Sequence, residues 1–192
     1  RTASRLAFKR ADARASENGV ILWDEVNEYP VVSKNGEWRQ IVLEDGQYSG
    51  AVTASQTAAL ANTAYALTYT PSVESGITNG TPASRLVFAE AGEYMISFSA
   101  QISSTSSSTV NFWFWPRVNG VDVAGSTMKN ALHQNGAVIV VSRTAIFDFA
   151  AGDYLEAMWA VDGTSGTLNA SAATAFAPAA PASTMAITRL HG

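Results

Sequence analysis

The sequence predicts an all-β protein, a β-sandwich or jelly roll preceded by a small β-rich module. Three observations carry the prediction. Apolar and polar side chains alternate with a period of two in several segments, no helical period intervenes beyond residue 45, and turn-forming Gly, Asn and Pro clusters recur at short spacing. A length of 192 residues admits one domain with an appendage, or two small domains, and suffices for a self-supporting core.

The chain divides near Asp45-Gly46. Residues 1–45 hold 7 of the 12 basic and 8 of the 16 acidic side chains, whereas residues 46–192 hold the other 5 and 8 over more than three times the length. The turn-forming Glu44-Asp45-Gly46 sits where the charge density drops. Within the first part, residues 5–9, 20–23, 30–33 and 38–43 read as short strands, with Asn18-Gly19 and Asn35-Gly36 supplying the positive-φ turns that hairpins need. A helix over 2–15 is the rival reading, because Ala and Arg favour it. With Trp23, Tyr29 and Trp38 as its main bulk, this module has a thin core and is expected to pack on something larger.

In the second part, Tyr94, Ile96, Phe98, Ala100 and Ile102 alternate with Met95, Ser97, Ser99 and Gln101, the pattern of a strand with one buried face. Ala145, Phe147 and Phe149 repeat it. Further strands are expected at 64–69, 85–89, 110–115, 137–142, 154–160 and 185–188. The turns between them are Asn79-Gly80-Thr81-Pro82, Ala91-Gly92, Asn119-Gly120, Asn135-Gly136, Ala151-Gly152-Asp153 and Asp162-Gly163. Eight or so short strands without helices between them make a sandwich or jelly roll. Residues 103–109 (SSTSSST) and the Ala/Pro-rich stretch 169–181, with Phe176 as its one large side chain, are expected to be exposed loops.

Composition narrows the function. No cysteine means no disulfide, thiolate metal site or thiol nucleophile, and two histidines, His133 and His191, leave little for a metal site or proton relay. A net charge of −4 argues against a nucleic-acid partner. Arg1, Arg5, Lys9, Arg10 and Arg14 form a basic segment, but Asp12 and Glu17 interrupt it, and docking to a particle or shaft is the preferred reading. No run reaches the 18 apolar residues of a membrane helix, so membrane insertion is not expected. The chain begins without a Met or a charged-then-apolar leader, so Arg1 is not expected to be a native start. Charged residues make up only 15%, while Ser and Thr number 37 and Ala 33, so the polar surface is hydroxylic rather than ionic.

The anomaly is residues 110–115, VNFWFW. In an extended strand Phe112 and Phe114 point one way, Trp113 and Trp115 the other, and a single sandwich in water needs one apolar face. The second face is then covered by the chain's own loop or first module, by a sister subunit, or by a sugar stacked on the rings. The uninterrupted 137–141 run, with Val138 and Val140, adds to the subunit reading. Phe112, Trp113, Phe114, Trp115, Val138 and Val140 are therefore the candidate subunit interface.

Three segments in order resemble a known family: residues 91–100 (AGEYMISFSA), Arg117-Val118-Asn119-Gly120, and residues 150–159 (AAGDYLEAMW). Together they are similar to the tumour-necrosis-factor-like jelly roll of complement and short-chain collagen heads. Residues 56–69 bring the match nearer to the version found in structural proteins of tailed bacteriophages. The likeness covers about residues 47–190, and residues 18–38 resemble, less closely, linking modules of phage fibres. It implies a TNF-like jelly-roll β-sandwich that forms homotrimers and is not an enzyme: the knob of a fibre or head spike on a phage virion or gene transfer agent, an extracellular particle, contacting a host-surface glycan. Residues 1–45 then form the attachment or shaft module, with Arg5, Phe8, Arg10, Trp23 and Trp38 toward other virion proteins, and residues 46–192 form the head. The hydroxylic stretches place Ser104, Thr105, Ser106, Ser107, Thr164 and Ser165 in receptor-facing loops. Capsid or tail decoration without receptor binding is one alternative, a soluble ligand of complement or necrosis-factor type another.

Enzyme readings find little material. Asp148, Asp153 and Glu156 surround a turn, where Asp153 is expected to cap the backbone and Glu156 to sit at a strand surface. Asp122 and Asp162 lack the dense Asp/Asn spacing of a calcium loop, and no phosphate-cradling glycine motif or nucleophile elbow occurs. No cofactor is expected.

Overall fold

The computed structural model describes residues 21–24, 29–34, 37–40 and 46–191. Two compact units divide the chain, 1–44 and 45–192. In the first, β1 (Ile21–Asp24), β2 (Tyr29–Lys34) and β3 (Glu37–Gln40) form an antiparallel sheet in that order. Lys34 pairs with Glu37, and the expected Asn35-Gly36 turn lies outside the described residues. The expected strand or helix at the very N-terminus, and Asn18-Gly19, lie outside the described residues.

The second unit holds β4 (Gln47–Val52), β5 (Gln56–Thr57), β6 (Tyr65–Ala66), β7 (Thr70–Ser75), β8 (Ile77–Asn79), β9 (Leu86–Phe88), β10 (Gly92–Ser104), β11 (Val110–Val118), β12 (Val121–Asp122), β13 (Met128–Leu132), β14 (Val138–Phe149), β15 (Tyr154–Val161), β16 (Gly166–Leu168) and β17 (Ser183–His191). All pairs are antiparallel. Eight of these strands nest like a long hairpin rolled on itself: β4 pairs with β17, β9 with β15, β10 with β14 and β11 with β13. Cross-links from β10 to β17 and from β11 to β15 complete two sheets, one ordered β14-β10-β17-β4-β7 and the other β13-β11-β15-β9-β8. That nesting is a jelly roll.

The expected alternation of residues 94–102 is realised in β10. Tyr94, Ile96, Ala100 and Ile102 are buried between the sheets with Phe112 and Phe114 of β11 and Leu155, Ala157, Trp159 and Val161 of β15. Phe88, Tyr94 and Phe149 pack as one aromatic cluster, Phe88 stacking on Phe149 at 3.8 Å between centroids, and Phe98 meets Phe114 across the sheets at 5.4 Å. Asn119 and Gly120, at φ 50° and 81°, close the turn from β11 to β12, since both positions of that two-residue connection need the left-handed region.

Other elements differ from the sequence reading. The runs at 137–142 and 145–149 are one strand, because the ladder to β10 continues through Ser142–Thr144 whatever those side chains are. The strand expected at 64–69 shrinks to β6, and β4, β5, β7, β8, β12, β13 and β16 were not anticipated. β13 alternates in burial, but Lys129 and Asn130 side by side hide that period in the sequence.

Candidate functional site: a charge-poor loop pole

Four connections from distant parts of the chain meet at one end of the sandwich: residues 53–64, 105–109, 133–137 and 162–182. Ser55 Oγ accepts the Ala170 N–H at 2.9 Å, Asn62 N–H reaches Val161 O at 2.7 Å, Thr105 N–H reaches Ser165 O at 3.1 Å, and Gly136 N–H reaches Ser104 O at 2.8 Å. Thr109 Oγ1 and His133 Nδ1 lie 2.9 Å apart. Residues 46–192 hold thirteen Lys, Arg, Asp and Glu side chains, and of these only Asp162 belongs to the four connections. Its carboxylate is spent within the fold, accepting Asn111 N–H at 2.8 Å and Asn111 Nδ2 at 2.6 Å. Gly166 lets the chain turn hard against the core here. A Cβ on it would sit 2.5 Å from Val161 Cγ2 and 2.7 Å from Phe112 Cζ.

The longest of these connections is a built hairpin rather than a loose loop. Ser171 and Ala180 bond each other's backbone at 2.9 Å in both directions, and Thr174 N–H reaches Ala177 O at 2.8 Å. Thr174 Oγ1 accepts Ala177 N–H at 3.0 Å and Phe176 N–H at 3.4 Å. At the tip Phe176 is 91% exposed, the most exposed large apolar side chain among the described residues. Sequence reading noted Phe176 only as the bulk of a loop. Its isolation among Ala and Pro was the signal of an outward-aimed ring.

Charge gathers elsewhere. Arg117 Nε and Trp115 Nε1 both donate to Asp122 Oδ1 at 2.7 Å, and these bonds, Arg117's foremost, hold the Asp122 carboxyl below the usual carboxylate range. Asp153 accepts Asn119 Nδ2 and Ala150 N–H, both at 2.7 Å, which lowers it likewise, the Asn119 bond acting most. Arg189 donates to Ala91 O.

The candidate interface residues separate. Phe112 and Phe114 are core residues of their own protomer, at 0% and 2% exposure, which removes them from any subunit contact. Trp113 and Trp115 do face outward, yet they are half-buried by their own chain: the Lys129 ammonium lies 5.3 Å from the Trp113 ring centroid, and Asp122 holds the Trp115 indole. Met158, level with Trp115 on the same face, is buried. The rings therefore do not require a sister chain. Val138 and Val140 stand exposed, with Ile146, on the outer face of β14. β10 is that strand's one partner among the described residues, leaving a twelve-residue edge open.

Of the candidate receptor-loop residues, Thr105 and Ser165 are joined directly and Ser107 and Thr164 are exposed. Ser104 is buried, and its Oγ accepts Ser106 N–H at 3.0 Å, while Ser106 Oγ does the same for Ser108. The serine tract thus orders itself through its own hydroxyls, and Ser104 is unavailable to a ligand. Trp23 lies in β1 and Trp38 in β3. Arg5, Phe8 and Arg10 fall outside the described residues.

Asp153 caps its turn as expected. Glu156 is buried rather than surface-placed, accepting Ser84 Oγ at 2.8 Å. Among the described residues no three His, Cys, Asp or Glu side chains gather to hold a metal. A cavity of about 50 Å³ between the sheets is lined by Phe98, Phe114, Met128, Phe147 and Met185, with Arg143 and Ser126 as its polar members. That is space for a few waters.

No family model and no curated protein matches the sequence. Among solved structures, the chain is similar to murine APRIL (TM-score 0.49, 8% identity, covering 77% of this chain and 100% of that one) and to the Eiger TNF of S. frugiperda (TM-score 0.49, 9% identity, 77% and 94%). These likenesses concern the fold.

Proposed function

We propose that the protein is a non-enzymatic attachment head, a jelly roll that associates into a homotrimer and turns its charge-poor loop pole toward a host-surface polysaccharide. The observation that carries this reading is the collection of four loops with one Lys, Arg, Asp or Glu side chain, its carboxylate oxygens engaged by Asn111, at the end of the sandwich where the hydroxyls cluster. Neutral hydrogen bonds from such a surface suit a neutral, hydroxylated ligand. Three copies on a rigid head convert weak single contacts into useful avidity through effective concentration.

Self-association is supported by β14. A long edge carrying Val138, Val140 and Ile146 in the open is a liability in a monomer and a seam in an assembly. The setting, a spike or fibre on a phage-type particle with residues 1–45 joining head to particle, rests on the resemblance of residues 47–190 to virion heads. Native mass spectrometry of the full chain tests the assembly. Three protomers of 20.3 kDa are expected, and a solution holding only the 20.3 kDa species overturns it. Binding of the full chain to intact host cells, and to particles lacking it, tests the role. Adhesion to cells supports the attachment head. Binding to the particle without any to cells overturns it in favour of a decoration protein, and a soluble receptor-triggering ligand would bind neither particle nor glycan.

A further inference from the structure

We infer that Phe176 is the stacking platform of a subsite for an uncharged saccharide, with the hydroxyls of the loop pole as its rim. The inference rests on the attachment reading above and names the residue and ligand class that serve it. An aromatic side chain at 91% exposure does nothing for the fold that bears it. A ring of this size left in water offers on the order of 150–250 Å² for burial against something else.

The hairpin beneath the ring argues that the exposure is built. The paired Ser171 and Ala180 close its neck, the Thr174 hydroxyl gathers the N–H groups of Phe176 and Ala177, and Ser55 anchors its base at Ala170. With the backbone of the tip already ordered, a ligand's arrival fixes little beyond the ring's own two side-chain torsions. Its chain neighbours Ala175 and Ala177 extend no further than Cβ, so neither shields a ring face.

The surroundings choose the ligand. A ring that anchors a protein partner is ordinarily the centre of an apolar patch. Phe176 stands in sequence among small Ala, Pro, Ser and Thr side chains, and Leu60 is the one other exposed large apolar side chain of the four connections, so no broad apolar patch is built there. A pyranose matches both parts: its C–H face, carrying partial positive charge, lies against the negative face of the ring, and its equatorial hydroxyls reach hydroxyl and backbone groups. The four loops contain no Lys or Arg, their one imidazole, His133, is bonded to Thr109, and Asp162 adds a negative charge, so the desolvation of a carboxylate, sulfate or phosphate goes poorly compensated there. The ligand is accordingly a neutral glycan.

The test uses the full chain on an array of neutral polysaccharides (dextran, mannan, galactan) and acidic ones (alginate, hyaluronate, a teichoic acid), alongside intact and periodate-treated host cells. Wild type is expected to bind neutral glycans with little change between about 50 and about 500 mM salt, since no ion pair is involved. Phe176→Ala lowers the apparent affinity by about tenfold or more, and Phe176→Trp keeps or raises it. Melting temperature and oligomer mass should not move in either variant, because the ring supports nothing. Equal binding by wild type and Phe176→Ala overturns the role of the ring while leaving the attachment head standing. Binding confined to acidic glycans and weakened by salt overturns the ligand class. Loss in Phe176→Ala of a binding that survives periodate overturns the saccharide in favour of a protein partner. Wild-type binding to no glycan and no cell overturns the subsite and the attachment reading together.

Discussion

Gly166 ties the loop pole to the core, and replacing it with Ala measures how tightly. The added Cβ would lie 2.5 Å from Val161 Cγ2 and 2.7 Å from Phe112 Cζ, where carbon atoms prefer about 3.5–4.0 Å. Both neighbours are fully buried, Phe112 between the sheets and Val161 at the end of β15, so neither side chain can swing into solvent. Overpacking of this kind costs about 1–3 kcal/mol. Gly→Ala also restricts the unfolded chain, which returns about 0.4–1 kcal/mol. With both neighbours fully buried the overpacking falls in the upper part of its range, about 2–3 kcal/mol, so the net loss is about 1–2.6 kcal/mol, or about 2–10 °C in Tm for a unit of this size. Urea unfolding followed by tryptophan fluorescence reads it directly. The sharper form is a double-mutant cycle with Phe112→Leu, which withdraws the ring edge from the clash. In that background Gly166→Ala should cost less by about 1 kcal/mol. An unchanged midpoint in the single variant, or strict additivity in the double, refutes the claim that this glycine is demanded by contact with Phe112.

Three other outcomes follow from the geometry. Val140→Lys places a charge on the open β14 edge, and native mass spectrometry should then find the 20.3 kDa protomer with its Tm unchanged; an intact oligomer would move the seam elsewhere. At high pH, burial first and the Glu74 charge second push the Tyr48 hydroxyl up to about 12, and burial raises Tyr69 as well. An unfolded tyrosine titrates at about 10, so this stability is complete below pH 10 and is lost as pH climbs through the folded values; Tyr48→Phe should shallow that decline in urea midpoint. In acid the sign reverses. The hydrogen bonds from Asn119 and Ala150 depress Asp153, so its contribution is present above the ordinary 3.8 and disappears as pH falls through the lowered value; Asp153→Asn should flatten the acid limb of the same curve.

Much of the fold was legible in adjacent residues. The alternation of Tyr94 to Ile102 announced a strand with one buried face, and Asn119-Gly120 announced a turn needing two left-handed residues, because pleat and backbone preference are properties of neighbours in the chain. The same reasoning split β14 in two. Its polar middle breaks the side-chain pattern, while the ladder to β10 ignores side chains. The aromatic strand misled for a related reason. Period two separated Phe112 and Phe114 from Trp113 and Trp115 correctly, but Lys129 and Asp122 reach those indoles from β13 and β12, and no local pattern records who comes to cover a face.

The candidate site shows where the boundary falls. The sequence by itself determined that hydroxyl tracts and charge-poor stretches exist, that few side chains could do acid–base or metal chemistry, and that residues 46–192 would fold as strands. Only the tertiary structure decided that four such stretches share one pole, that the Asp162 carboxylate is engaged there by Asn111, that Ser104 turns inward, and that Phe176 stands out at the tip of an ordered hairpin. Strand and turn preferences are settled within a few bonds of each residue. Coverage, clustering and exposure are settled by contacts between residues dozens apart, which exist only once the jelly roll has closed and its loops have been gathered at its ends.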